Sequence, residues 1–330
     1  MTQNFDSIPL PNVKSKISLL LKSKISLLLN GNKTGIIGCT DVINNVDGDS
    51  FSAYLNNGPS TAELKLGTKV PTPKIDVSNV LRIIKPKDYH DAIAIDREED
   101  DKLTYDLAKV LGNSLLKVAE SEVVRGAFGE NTVDHHSSTS TKNFDPNMII
   151  PVDYKRSPSS SVSVADKIMG ASAMIKSGVD VDNADLFLAL TGRAYASFFA
   201  AIKMINKDYV KYVNLENGKI RRFAGFRIIS SDYMPGGKNS PKEFDAEGKI
   251  TAKDSIPLKS ISTAPEAKDK VKSYALFWER SGIITAFWKD IQFKILEDSK
   301  RSGAQSMYAS CQLGACRSDE SRVGYIEMDV

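Results

Sequence analysis

Three groups of residues have the types and spacing that chemistry needs. Asp47 and Asp49, in an Asp-Gly-Asp-Ser run, and Asp134-His135-His136 offer carboxylates and imidazoles, the ligand types of divalent-metal sites. Glu98, Glu99, Asp100 and Asp101 form an acidic run that imitates such a cluster. Cys39, Cys311 and Cys316 are too few and too unevenly spaced for a disulfide framework, and the last two have no partner pair to complete a zinc site. They read as structural thiols. His90 is the only other histidine, so acid–base catalysis by imidazole has three candidates. No phosphate loop ends in Gly-Lys-Ser/Thr, no Gly-x-Ser-x-Gly elbow occurs, and no Gly-x-Gly-x-x-Gly opens a helix.

Asp134-His135-His136 together with Asp47 to Ser50 is similar to the metal-binding pieces of DHH-type phosphoesterases, in which such groups bridge two metal ions that activate a water. The surroundings argue against that chemistry. In that family the Asp-His-His ends a buried apolar strand. Here it follows Gly129-Glu-Asn-Thr-Val133 and precedes a Ser/Thr run, which has little to hold ligands still. The acidic run at 98–101 has a simpler reading as the start of a helix, where free N–H groups and the helix dipole favour negative charge.

The helix in question is the element around which the chain is organised. Leu103, Leu107, Val110, Leu111, Leu115, Val118, Val123 and Ala127 recur at steps of three and four and build one apolar stripe, leaving Lys102, Asp106, Lys109 and Glu120 outside it. Asp96 is the expected N-cap, and Gly126 and Gly129 are the expected stop. Such a rod, roughly thirty residues at 1.5 Å rise, spans about 45 Å. Something large must lie along it.

Ahead of the helix, Lys14 to Leu21 reads KSKISLLL and is repeated without change at Lys22 to Leu29. Eight residues are too short a period for a solenoid, and the leucines spread round much of a helical surface. This reads as a local duplication in a tolerant terminal arm or, alternatively, as a basic amphipathic arm that lies on a neighbour. Between Ser50 and Ile84, short apolar pieces flank Asn56-Asn57-Gly58-Pro59, which predicts an extended two-stranded loop that cannot bury its own apolar residues.

After the helix, residues 130–163 are polar and loop-like apart from Met148 to Val152. Ser163 is expected to cap a helix over Val164 to Ser177, followed by a buried strand at Leu186 to Leu190, an apolar-faced helix at Tyr195 to Ile205 and one strand at Arg221 to Ile229. Residues 236–270 form an exposed excursion with a hairpin around Glu247-Gly248. The last pieces, Met307 to Ala315 and Val323 to Met328, read as strands.

The 330 residues are 41% hydrophobic and 26% charged, which excludes disorder of the whole chain. With 44 basic and 41 acidic residues the net charge is only +3, so charge alone demands no nucleic-acid partner. No apolar run reaches the length of a membrane span, and the N-terminus lacks the basic-then-apolar order of a secretory signal. A cytoplasmic protein is the expectation.

The order of these elements is similar to something specific. An arm, an extended loop, and a long helix after Arg82-Ile-Ile-Lys-Pro-Lys-Asp-Tyr-His-Asp-Ala-Ile-Ala-Ile-Asp96 resemble the major capsid proteins of tailed bacteriophages. So do Gly218 to Ser231, an aromatic segment read as helical after it, and the terminal strand Leu313 to Ile326. The resemblance runs over roughly Val80 to Val330. It implies an α+β shell fold shared with encapsulins and the herpesvirus capsid floor. That fold has an N-terminal arm (1–50), an extended loop (51–95), a peripheral domain with the long spine helix (96–162), an axial domain (163–304, with the excursion at 236–270) and C-terminal strands completing the core (305–330).

The same resemblance implies a structural protein with no catalytic residue and no cofactor or metal. Its copies would form pentamers and hexamers of an icosahedral shell around double-stranded DNA, held on the inner surface without sequence specificity. Expected places are the virion capsid and, during assembly, the bacterial host cytoplasm. Further partners are separate scaffold, portal or decoration proteins, and no membrane is involved. Arg82, Lys85, Asp88 and Asp96, at the loop base and helix start, are the expected subunit contacts. Two rivals remain: an encapsulin-like compartment holding protein cargo, and the metal-dependent phosphoesterase.

Overall fold

The computed structural model describes residues 35–57, 78–95, 101–129, 133–134, 144–155, 163–176, 185–204, 213–216, 219–235, 242–244, 250–252, 272–297 and 305–329. Its first strands are β1 (Asp41–Ile43), β2 (Phe51–Asn57), β3 (Ser78–Ile84) and β4 (Lys87–Ile95). The long helix follows as α1 (Asp101–Ala127), and then come the short strands β5 (Val133–Asp134) and β6 (Ile149–Ile150). Next are α2 (Val164–Lys176), β7 (Leu186–Leu190), α3 (Gly192–Met204), β8 (Val213–Glu216), β9 (Lys219–Phe223) and β10 (Phe226–Ser230). A small hairpin, β11 (Lys242–Phe244) with β12 (Ile250–Ala252), precedes the four-part close. The close begins with β13 (Lys272–Glu279) and β14 (Ile283–Glu297) and ends with β15 (Gln305–Arg317) and β16 (Val323–Asp329).

Two sheets carry the molecule. A seven-stranded mixed sheet runs β6-β16-β13-β7-β10-β9-β8, and a four-stranded sheet runs β1-β14-β15-β4. In the larger one β7 is apolar throughout and buried throughout, because both faces are covered. Leu186, Leu188 and Leu190 meet Ile168, Ala171 and Ile175 of α2 and Phe198 of α3. Phe187 and Ala189 face the other way, toward Val123, Val124 and Ala127 at the end of α1 and Ile36 and Cys39 of the chain start. Helix α2 begins where its sequence says: the Asp166 N–H donates to Ser163 Oγ at 3.1 Å.

The four-stranded sheet is built differently. Met307, Ala309, Cys311 and Leu313 of β15 point at Leu111, Leu115 and Ala119 of α1, while the alternate residues Tyr308, Ser310 and Gln312 stay partly exposed on the far face. Strands β14 and β15 are long antiparallel partners, bulged around Phe287 to Gln292. Strands β2 and β3 pair over seven positions, from Phe51 opposite Ile84 to Asn57 opposite Ser78, as expected for an extended two-stranded loop.

Five local expectations need correction. Gly126 does not stop the helix; it lies inside α1, and a Cβ there would collide with the Ala315 backbone of β15. Glycine at that point is what lets the helix end touch the sheet. The stop is Gly129, with φ +91° and its N–H donated to the Gly126 carbonyl. Val110, placed in the apolar stripe, is 57% exposed, and Glu120, placed outside it, is half-buried beside Ile36. The interior row is Leu111, Leu115, Ala119, Val123 and Ala127, a strict four-residue step. Residues Arg221 to Ile229 are two strands, split by a turn in which Ala224 (φ +51°) and Gly225 (φ +89°) both take the left-handed region. The aromatic segment around Trp278 and Trp288, read as helical, is strand: burial on both faces of β13 removes the alternation that would have revealed it.

The expected axial stretch 163–304 is divided between the sheets. Its β7 to β10 and β13 belong to the larger, and β14 belongs to the four-stranded sheet. The KSKISLLL repeat, Asp96 and His135-His136 lie outside the described residues.

Candidate subunit-contact site

The residues nearest the expected contacts begin in β3. Arg82 is 1% exposed, and its Nη2 donates to Glu320 Oε1 at 2.9 Å. The other oxygen of the same carboxylate forms an ion pair with Arg317 Nε at 2.5 Å. Arg317 is 0% exposed; its Nη1 donates to the Ala127 carbonyl at 3.0 Å, and its guanidinium carbon sits 4.1 Å from the Phe144 ring centroid. Ala127 is the last residue of α1, so this bond satisfies a carbonyl that the helix cannot pair internally. One carboxylate thus joins the root of the extended hairpin, the end of the spine helix and the turn between β15 and β16.

A second cluster extends from the same turn. Arg322 reaches Glu279 Oε2 at 2.7 Å and Asp319 Oδ2 at 3.0 Å, and Ser281 donates to Glu279 at 2.6 Å. This cluster is partly exposed, and Glu279 and Asp319 each have at least two donors.

Glu122 organises the next few residues of the loop base. It is 1% exposed on α1, receives Lys87 Nζ at 2.9 Å and accepts the Tyr89 hydroxyl at 2.8 Å, so it anchors the start of β4 on the helix. Burial and the Glu122 charge both raise the Tyr89 phenol far above its usual range, which keeps it a donor. Lys85 and Asp88, by contrast, point to solvent. Of the four expected contact residues, Arg82 is spent inside the chain, Lys85 and Asp88 are free to face a neighbour, and Asp96 lies outside the described residues. Sequence reading missed Glu320, Arg317 and Glu122. The cluster Arg317 to Arg322 has the composition of a solvated turn, and nothing local says that Arg82, far away in the chain, folds against it.

Among the described residues the groups with catalytic or metal-binding types do not come together. Asp47 and Asp49 are exposed in the turn after β1, and Asp134 is opposite Arg82 in the register of β5 with β3. Among the described residues no three His, Cys, Asp or Glu side chains gather in a way that could hold a metal ion. Burial pushes the thiol of Cys39 up to about 11 and those of Cys311 and Cys316 up to about 12, so all three stay protonated at neutral pH.

Residues 69–330 match the family model described as phage capsid protein. Among solved structures, the capsid of cyanophage P-SCSP1u is similar with a TM-score of 0.56 at 14% identity, over 88% of this chain and 86% of that one. The acidic stable capsid of the Helicobacter pylori bacteriophage KHP30 is similar with a TM-score of 0.54 at 13% identity, over 100% and 94%. A virus-like particle from Pyrococcus furiosus is similar with a TM-score of 0.52 at 12% identity, over 95% and 98%. At such identities the likeness is one of fold. No curated protein matches the sequence.

Proposed function

The chain belongs to the phage capsid protein family and is a structural protein of the capsid; from that premise we propose that its copies close into pentamers and hexamers of an icosahedral shell around double-stranded DNA. The family match over residues 69–330 carries the reading. The physical logic lies in the hairpin of β2 and β3, whose root is held by Arg82 and Glu320. A two-stranded ribbon is at best marginally stable alone in water, so a neighbouring copy that covers it supplies the missing burial. Contacts repeated head to tail among identical subunits then close into rings, and each can be weak because many act together.

In this reading residues 1–50 are an arm, 51–95 the extended loop with β4 at its end in the four-stranded sheet, 96–162 the peripheral part, 163–304 without β14 the axial part, and 305–330 the closing strands of both sheets. Lys85, Asp88 and Asp96 meet the neighbour directly, and Arg82 contributes by fixing the angle of the loop. Scaffold, portal or decoration proteins complete assembly in the host cytoplasm.

Light scattering with negative-stain microscopy on the recombinant protein tests this, with co-expressed neighbours if it is insoluble alone. Closed shells or capsomer rings are expected. A well-behaved monomer under all conditions overturns the reading, and shells that carry a co-purifying protein in place of DNA turn it into a compartment.

A further inference from the structure

One face of the seven-stranded sheet carries a concentration of arginine. Its origin is a defect in alternation. In the pairing of β8 with β9, Asn214 lies opposite Arg222 but Leu215 lies opposite Ile220, so Arg221 is one extra residue in β9. Ile220 and Phe223, three apart, both point into the core under α2 and α3. Arg221 and Arg222 are therefore both left on the opposite face, and both are exposed. Across the next ladder Arg222 is directly opposite Arg227 of β10, and Arg227 is beside Phe187 of β7. Arg280 completes the group, with its guanidinium carbon 5.6 Å from the Phe187 ring centroid.

Arg280 has a carboxylate partner, Asp185 at 3.2 Å. Arg222 and Arg227 have no ion pair among the described residues, and Glu216, the acidic residue of the β8–β9 hairpin, is opposite Lys219 in the register. Like charges directly opposite on a sheet repel and destabilise it. A ligand that supplies closely spaced negative charge removes that cost. Arginine forks suit phosphate oxygens, which accept two parallel N–H bonds from one guanidinium.

We propose that the Arg221, Arg222 and Arg227 face of this sheet binds the phosphate backbone of nucleic acid. This deepens the capsid reading and rests on it, since it assigns a surface to the enclosed DNA. A second copy of the chain is the rival occupant, and the experiment below separates it from nucleic acid. Phosphate contact of this kind has no base readout, so the binding is sequence-independent and strongly salt-dependent.

The test uses the full-length protein, wild type and the doubles Arg222→Ala/Arg227→Ala and Arg222→Lys/Arg227→Lys, titrated with a short fluorescent duplex of mixed sequence over a range of salt. Each lost phosphate contact lowers the slope of log affinity against log salt by about 0.9, so the alanine double is expected to lose about 1.8. The lysine double keeps the slope, because it keeps the charge. Unchanged affinity and slope in the alanine double overturn the proposal. So does loss of self-association with DNA binding intact, which gives the face to a second copy. Microscopy on the same samples separates the two readings. Absence of shells from the wild type counts against the capsid role, whereas shells with an unaltered salt slope remove only the arginine face. Equal thermal unfolding of the three proteins excludes misfolding as the cause.

Discussion

The two sheets solve the problem of burial in opposite ways. The seven-stranded sheet is covered on both faces over β7 and β13, by α2 and α3 on one side and by the end of α1 and residues 36–39 on the other. The four-stranded sheet has one helix, α1, along one face; its far face is covered at one end by the hairpin root, where Ile84 packs on Ala286 and Cys316, and elsewhere carries Tyr308, Ser310 and Gln312 beside the exposed Asp88 and His90. The difference is how much apolar area each can remove from water. The larger sheet leans on α1 only at the helix end, whereas the smaller one rests on its length, so damage to the helix falls hardest there. The joint between them is the Arg82–Glu320–Arg317 triad, which ties the hairpin and the helix end to the turn between β15 and β16.

Breaking the helix that covers the smaller sheet has the largest expected effect. Leu111→Pro removes a buried core side chain and a backbone hydrogen bond in the middle of α1, at a cost of about 3 kcal/mol or more. Soluble assembly should be lost, and light scattering that shows normal shells from this variant would remove the helix from its central role.

Breaking the joint comes next. Glu320→Ala leaves two buried guanidiniums facing each other without their shared carboxylate, for which a loss of about 3 kcal/mol is expected in urea unfolding. A loss below 1 kcal/mol, roughly the value of a surface pair, would mean that the halves are held by apolar contact alone.

A smaller change sharpens the comparison from the helix side. Glu120 lies where α1 passes Ile36, and burial raises its carboxyl above the ordinary value while the Ile36 N–H partly opposes the rise. The charged form is therefore the disfavoured one in the folded chain. Glu120→Gln should raise the thermal midpoint at neutral pH, where the native carboxylate carries the desolvation cost. The advantage should vanish as pH falls below the unfolded value, where glutamate is neutral in both states. An advantage that persists in acid would point to packing in place of charge.

The smallest effect is expected outside both halves. Replacing His135 and His136 together with alanine should leave assembly and stability unchanged by scattering and calorimetry. Loss of particles in that double variant would give the Asp-His-His segment a role that its loop-like sequence does not suggest.

Local patterns made much of this architecture legible. The apolar step through Leu111, Leu115, Val123 and Ala127, the Ser163 cap and the apolar run Leu186 to Leu190 each depend on neighbours within a few residues, and each corresponds to an element found. So do the hairpin with strands at Lys242–Phe244 and Ile250–Ala252 and the final strands, and together their order carried the family resemblance. The contact residues were harder to read. Arg82 has the look of a loop-base charge available to a neighbour, yet it is sealed inside by a carboxylate from the other end of the chain.

By itself the sequence determined the long helix, α2, α3 and several of the strands, the order in which they follow one another and the class of capsid protein they belong to. Propensity, periodicity and capping act over a few residues and are written in the chain directly. Only the tertiary structure decided that Gly126 is a point of close approach to Ala315, that a bulge turns Arg221 and Arg222 to the same face, and that Glu320 joins Arg82 to Arg317. Each of these depends on the register between strands or on contacts across tens to hundreds of residues. Charge and shape at such meetings are properties of the fold, because no residue carries a local sign of the partner it will find there.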